Sequence, residues 1–286
     1  MAWKCPFKKT PTPPVVIPPV VVPPVPPINP NIMDWTTLKP IDLSLIEAVD
    51  FPNDKYYPID SRKTQITIHH TVSGPGVRGD INHWLSLSGR IATCIIIDNN
   101  GIAYQCFSSK FWAHHLGITS TYLKSQGYTD WTTRNVELNQ GSIAVEIDNW
   151  GGLILGDGST KQFGLKEDKT PNMVKTVSGK YYAAYGNVVD CEIQHYPNGY
   201  RGYNYYEKYN NLQLATLGSL LLLWHIKYQI PLDYHPTMFD ISKDALSGKE
   251  GVWSHTSYRE DKSDIHPQPE LIDMLQSLKP AVFKNM

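Results

Sequence analysis

Ser142-Ile143-Ala144-Val145-Glu146-Ile147-Asp148 decides the fold class, because its side chains alternate without a break. Ile143, Val145 and Ile147 share one face of an extended strand, and Ala144, Glu146 and Asp148 share the other. Glu146 therefore points away from the aliphatic stripe of its own strand. A second strand is predicted over residues 65–70, where Gln65-Ile66-Thr67-Ile68-His69-His70 is β-branched up to a pair of histidines. Successive strand side chains point to opposite faces, so only one of His69 and His70 can face a given ligand. Residues 94–97 and 102–107 flank Asp98-Asn99-Asn100-Gly101, whose Asn-Gly pair suits the positive φ angles of a tight hairpin. Helices are predicted over residues 77–87, carrying Trp84, and 211–229, where leucines occupy more than one face ahead of Ile230-Pro231. Strands alternating with helices predict an α/β domain, a mixed central β-sheet flanked by helices on both faces. One short helix is expected over residues 43–49, inside a connecting segment (33–60) packed on the main domain (61–286).

The ends and the middle of the chain differ in composition. Residues 11–30 carry paired prolines at Pro13-Pro14, Pro18-Pro19, Pro23-Pro24 and Pro26-Pro27. That density removes amide donors and forbids a continuous helix, which argues against both an export signal and a membrane span. Residues 1–32 are expected to form a stiff polyproline II tether, rising ~3.1 Å per residue, with an unknown partner. The most apolar run elsewhere, Leu220-Leu221-Leu222-Leu223-Trp224, is too short to cross a bilayer. With 26 basic against 27 acidic residues, the charge balance gives no reason to expect nucleic acid as a partner. Cys5, Cys94, Cys106 and Cys191 lack CxxC spacing, so neither a cysteine zinc knuckle nor a disulfide framework is indicated. An insertion over residues 151–209 is dense in tyrosine, suited either to stacking on a substrate or to packing a β-rich subdomain.

Ser254-His255-Thr256-Ser257-Tyr258-Arg259-Glu260-Asp261-Lys262-Ser263-Asp264 sets an imidazole, an ammonium and a carboxylate close together, far downstream of the histidines at 69 and 70. Two imidazoles and one carboxylate are a donor set for hydrolytic zinc: they leave the fourth tetrahedral position to water, whose pKa the metal lowers toward ~7.

Taken in order, Ile66-Thr67-Ile68-His69-His70-Thr71, Ala113-His114-His115-Leu116-Gly117, Ser142-Ile143-Ala144-Val145-Glu146-Ile147, and His255 with Lys262-Ser263-Asp264 resemble the zinc-dependent N-acetylmuramoyl-L-alanine amidases of the type 2 class. That family includes phage endolysins and peptidoglycan-recognition proteins. The likeness covers residues 60–280, and Asp148-Asn149-Trp150-Gly151 and Arg201-Gly202-Tyr203 resemble its phage and bacterial branch. The resemblance implies a zinc ion held by His69, His255 and Asp264. It implies Glu146 as the catalytic carboxylate and Lys262 as the cation beside the oxyanion, with His115 and Trp150 at the substrate. It further implies peptidoglycan as the partner, cleaved between N-acetylmuramic acid and L-alanine. The implied setting is a phage lysin made in the host bacterial cytoplasm and acting on the wall after release, or a virion-attached enzyme. Two departures stand out. Ile91-Ala92-Thr93-Cys94 lacks the tyrosine that some relatives place there, and Asp264 is followed by Ile265-His266-Pro267, so His266 falls next to the ligand position. Two other readings stay open: a recognition protein that binds peptidoglycan without cleaving it, and an iron oxygenase using the same two-histidine, one-carboxylate set.

Overall fold

The structure is a computed structural model that describes residues 33–165 and 168–284. The Pro-rich stretch expected as a tether lies outside the described residues. In chain order the strands are β1 (Ile46–Ala48), β2 (Gln65–His70), β3 (Ile95–Ile97), β4 (Ala103–Gln105), β5 (Ser142–Ile147), β6 (Gly152–Leu155), β7 (Thr160–Leu165), β8 (Pro171–Lys175), β9 (Tyr181–Tyr182), β10 (Val188–Val189), β11 (Ile193–Tyr200), β12 (Tyr203–Glu207) and β13 (Gly251–Ser254). The α-helices are α1 (Val77–Ser86), α2 (Ser120–Ser125), α3 (Arg134–Gly141), α4 (Asn211–Tyr228), α5 (Lys243–Leu246) and α6 (Pro269–Lys284).

Six strands form the central sheet in the order β1-β4-β3-β5-β2-β13. β13, β2, β5 and β3 run parallel, while β4 returns antiparallel to β3 through the turn at Gly101 and β1 adds parallel to β4. The sheet is therefore mixed. Register sets its two faces, because directly paired residues point the same way. Ile66 and Ile68 sit beside Ile143 and Val145, which continue into Ile95 and Ile97. All six are at most 3% exposed, and each burial contributes roughly 1.5–3 kcal/mol.

α4 lies against this aliphatic face. It begins with a capping box in which the Asn210 side chain accepts from Gln213 N, and Gln213 Nε2 in turn donates to Asp148 O at 2.7 Å and to Asn99 Oδ1 at 2.8 Å. The helix is thereby tied to the end of β5 and to the hairpin turn. Gly218 brings α6 close, since a Cβ there would stand 3.1 Å from Met274 Sδ. The opposite face carries Gln65, Thr67 and His69. Gln65 Nε2 donates to Ala245 O in α5 at 3.1 Å and to Lys249 O at 2.9 Å, while Tyr258 covers Thr67. Helices thus flank both faces. Among the described residues, no helix is long and apolar enough to cross a membrane.

Residues 43–49 do not form the expected helix. Asp42 caps a 3-10 turn at Leu43–Leu45 by accepting from Ser44 N at 2.9 Å, and the chain then extends into β1 beside β4. Leu43 and Leu45 are 66% and 64% exposed, so the apolar spacing that suggested a helix buries nothing. The Tyr-rich region is a second, antiparallel sheet, β10-β9-β6-β12-β11, plus the β7–β8 hairpin. Tyr182 and Tyr206 are buried within it, as is Tyr209 just beyond it, so much of its tyrosine is packing.

Leu221 in α4 is fully buried. Leu221→Ala is expected to cost about 2–5 kcal/mol, read as a lower urea midpoint with an unchanged slope. A midpoint within error of the parent would show that α4 is not part of the core.

Candidate metal centre

Three adjacent parallel strands deliver the site. His69 is paired directly with Glu146 across β2 and β5, so both side chains leave the same face of the sheet. On the other side Ser254 pairs with Ile68, so His255, the next residue, continues at the level of His69. Glu146, His69 and His255 therefore form a row at the C-terminal ends of the strands, where open α/β sheets place their ligand sites. His70 faces the opposite way, with Nδ1 2.8 Å from the Tyr209 hydroxyl. Alternation along β2 thus separates the two histidines.

Asp264 joins this row from the loop after β13. Its Oδ2 lies 2.8 Å from His255 Nδ1 and 3.2 Å from His69 Nδ1, and the two Nδ1 atoms are 3.0 Å apart. His69, His255 and Asp264 are all buried, and they form a group able to offer one ligand atom each to a metal ion. The fit is close. A tetrahedral ion bonded at about 2.0–2.1 Å needs ligand atoms about 3.3 Å apart, and the three separations fall within about 0.5 Å of that. Two imidazole nitrogens and one carboxylate oxygen are a donor set that zinc accepts. Burial pushes the Asp264 carboxyl up, but the facing His255 and His69 outweigh it and hold the group well below the usual carboxylate range. Burial first, and then repulsion from His255, push His69 down to about 4. At neutral pH the cluster therefore presents a carboxylate and a neutral His69.

The outer nitrogens of both imidazoles are engaged. His255 Nε2 donates to Leu116 O at 2.9 Å, and His69 Nε2 lies 3.0 Å from His115 Nδ1. His115 is itself placed from α3, where Asn139 Oδ1 accepts from His115 N at 2.8 Å and Leu116 N at 3.1 Å. One asparagine side chain thus seats both partners of the ligand pair.

Glu146 is half-buried, and among the described residues its carboxylate has no hydrogen-bond partner. Burial raises its pKa well above the ordinary value, with Asp264 and Asp80 adding repulsion and Lys262 opposing it. Lys262 has no ion-pair or hydrogen-bond partner among the described residues. It lies two residues before Asp264 in the loop after β13.

The second sheet holds the loop that carries Lys262 and Asp264. The Tyr200 hydroxyl lies 2.9 Å from Phe239 O and 3.1 Å from Ile265 O, and Arg201 Nη1 donates to Glu260 O at 3.1 Å. His266 is turned away from the ligand group: its ring sits between the Tyr196 hydroxyl, 2.8 Å away, and Glu207 O, 2.9 Å away. Trp150 is half-buried with its ring over Gly74, where any Cβ would come within 2.6 Å of two ring atoms. A cleft of about 750 Å³ runs between this sheet and the loop, lined by Arg201, Tyr203, Tyr205, Asp261 and Ser263 among others.

No protein-family model and no curated protein sequence matches the chain. Among solved structures it is similar to PlyL, at 13% identity and TM-score 0.41 over 80% of this chain and 96% of that one. It is similar also to the PlyG catalytic domain, at 13% identity and TM-score 0.42 over 83% and 94%. A third similar structure is the endolysin N-acetylmuramoyl-L-alanine amidase LysCS from Clostridium intestinale URNW, at 12% identity and TM-score 0.38 over 80% and 94%.

His69 and His70 both have folded pKa values of about 4 against a reference of 6.5. Between those values the unfolded chain binds protons that the fold refuses, so stability is full above pH 6.5 and falls as the pH drops toward 4. In chelator-stripped protein the two imidazoles should therefore stay neutral down to about pH 4, followed through their nitrogen-15 shifts. Ring shifts of His69 and His70 that titrate with midpoints near 6.5 would contradict the burial of neutral histidines.

Proposed function

We propose that the chain is a zinc-dependent peptidoglycan hydrolase that cleaves the amide between N-acetylmuramic acid and L-alanine. The observation that carries this reading is the row Glu146, His69, His255, closed by Asp264: a metal-binding donor set with an unpartnered carboxyl directly beside it. The choice of amide and polymer comes from the order of the sequence motifs that resemble type 2 amidases.

His69 Nδ1, His255 Nδ1 and Asp264 Oδ2 would hold the ion. In that position zinc supplies Lewis acidity toward a carbonyl oxygen and the attacking water. Glu146 takes the proton of that water and returns it to the departing L-alanine amine. Its raised pKa suits both directions of transfer better than an exposed carboxyl would. Lys262, with no partner of its own, is free to face the negative charge that develops on the carbonyl oxygen. The cleft reaches the Lys262 loop only at Asp261 and Ser263 and is not lined by the metal-binding group, so it would take parts of the polymer away from the scissile amide, against Tyr203 and Tyr205. Both ring nitrogens of His115 are engaged within the protein, so contact with substrate falls to other groups. The setting that fits is a phage lysin acting on the host wall after release from the cytoplasm, with a virion-attached enzyme as the variant.

The test is digestion of purified peptidoglycan, scored by mass spectrometry for stem peptides with a free L-alanine amino terminus. Glu146→Gln is expected to keep its zinc and lose about 10²–10⁴-fold in rate. Full activity in that variant would remove Glu146 from the chemistry. Wall binding without any peptide release by the zinc-loaded parent would move the chain to the non-cleaving recognition class.

A further inference from the structure

The ligand group admits two states that the positions of its heavy atoms do not separate. If His69 carries its proton on Nδ1, that N–H donates to Asp264 and His255 and the cluster closes as a hydrogen-bonded knot. If the proton is on Nε2, three acceptor atoms face one another and only a cation satisfies them. We propose that His115, backed by Ser142, is a positioning residue that fixes His69 in the Nε2-protonated tautomer and so opens the cluster to a metal. The metal half of this statement rests on the reading above; the tautomer half does not.

The direction of the relay follows from its far end. The Ser142 hydroxyl donates its single proton to Leu138 O at 2.8 Å, and a carbonyl can only accept. Ser142 Oγ is also 2.6 Å from His115 Nε2, and the two contacts are both hydrogen bonds only when the imidazole donates to Oγ. A neutral imidazole has one N–H, which leaves His115 Nδ1 as an acceptor. His69 Nε2, 3.0 Å away, then has to donate, and the His69 Nδ1 lone pair is turned toward Asp264 and His255. Among the described residues the ring nitrogens of His115 meet only His69 Nε2 and the Ser142 hydroxyl, so no carboxylate faces the ring to hold a second proton on it. The rings meet edge to face, 85° between planes, which suits an in-plane N–H aimed at an in-plane lone pair only along the shared edge. Asn139 keeps His115 in place through its backbone N–H. On the other ligand the same task falls to a backbone carbonyl, Leu116 O, which fixes His255 without a relay. Outer partners of this kind orient metal-bound histidines and raise affinity about 10–100-fold.

Three variants of the full chain test this. Nitrogen-15 NMR of the chelator-stripped parent should show His69 protonated on Nε2; protonation on Nδ1 would overturn the proposal outright. His115→Gln keeps an acceptor for His69 and a donor for Ser142, so it should hold the parent tautomer and bind zinc within about threefold of it. His115→Phe removes both and should shift His69 toward Nδ1–H, with zinc affinity in chelator competition lower by about 10–100-fold. Ser142→Ala, a small change that leaves the imidazole, should give the same shift by freeing His115 to reverse. Parent-like zinc affinity and tautomer in both His115→Phe and Ser142→Ala would overturn the relay. A parent that shows the Nε2 tautomer and binds no zinc would uphold the relay and defeat the metal reading, so the two failures are distinct.

Discussion

Parallel pairing of β5, β2 and β13 in one fixed register is the constraint on which the site depends. It sets Glu146 beside His69 and carries His255 to the same level. A shift of one residue in either pairing would send a ligand to the aliphatic face, because side chains alternate with period two. The fold guards the register on that face with Ile66, Ile68, Ile143 and Val145, which are buried against α4 only if the pairing is the observed one. The same packing that stabilises the sheet therefore positions the chemistry.

Asp264 and Lys262 come from a loop, and a loop needs outside support to place charged groups to within half an ångström. The second sheet supplies it. Tyr200 and Arg201 at the β11–β12 turn bond to carbonyls at both ends of that loop, and Tyr196 and Glu207 take up the ring of His266. The arrangement has the Tyr-rich region hold the loop that carries Asp264 as well as border the cleft. Electrostatics completes the picture: burial keeps His69 neutral and raises Glu146, while attraction within the cluster keeps Asp264 ionised.

The sheet was legible from residues 65–70 and 142–148 because alternation and β-branching are local signals, and α4 was legible because eighteen residues of helix carry their own periodicity. Residues 43–49 differ from the helix their spacing predicts for the opposite reason: β1 exists through pairing with β4, a contact that leaves no mark on the leucines nearby. Opposite faces for His69 and His70 followed from period two, whereas their assignment to the metal side rested on resemblance. Nothing in the sequence marks Ser142, Asn139 or the Leu116 carbonyl as neighbours of the metal-binding group. A serine at the start of a strand, an asparagine near a helix end and a backbone oxygen are ordinary in sequence, and only the fold brings them behind the ligands. His266, suspicious by its position after Asp264, is directed elsewhere by Tyr196 and Glu207.

X-ray absorption at the zinc edge of zinc-loaded protein decides whether His69, His255 and Asp264 form one metal centre. The expected result is one ion per chain, with two imidazole nitrogens and light oxygen ligands at about 2.0–2.2 Å and no sulfur. Absence of stoichiometric zinc, or a first shell containing cysteine sulfur, would contradict it.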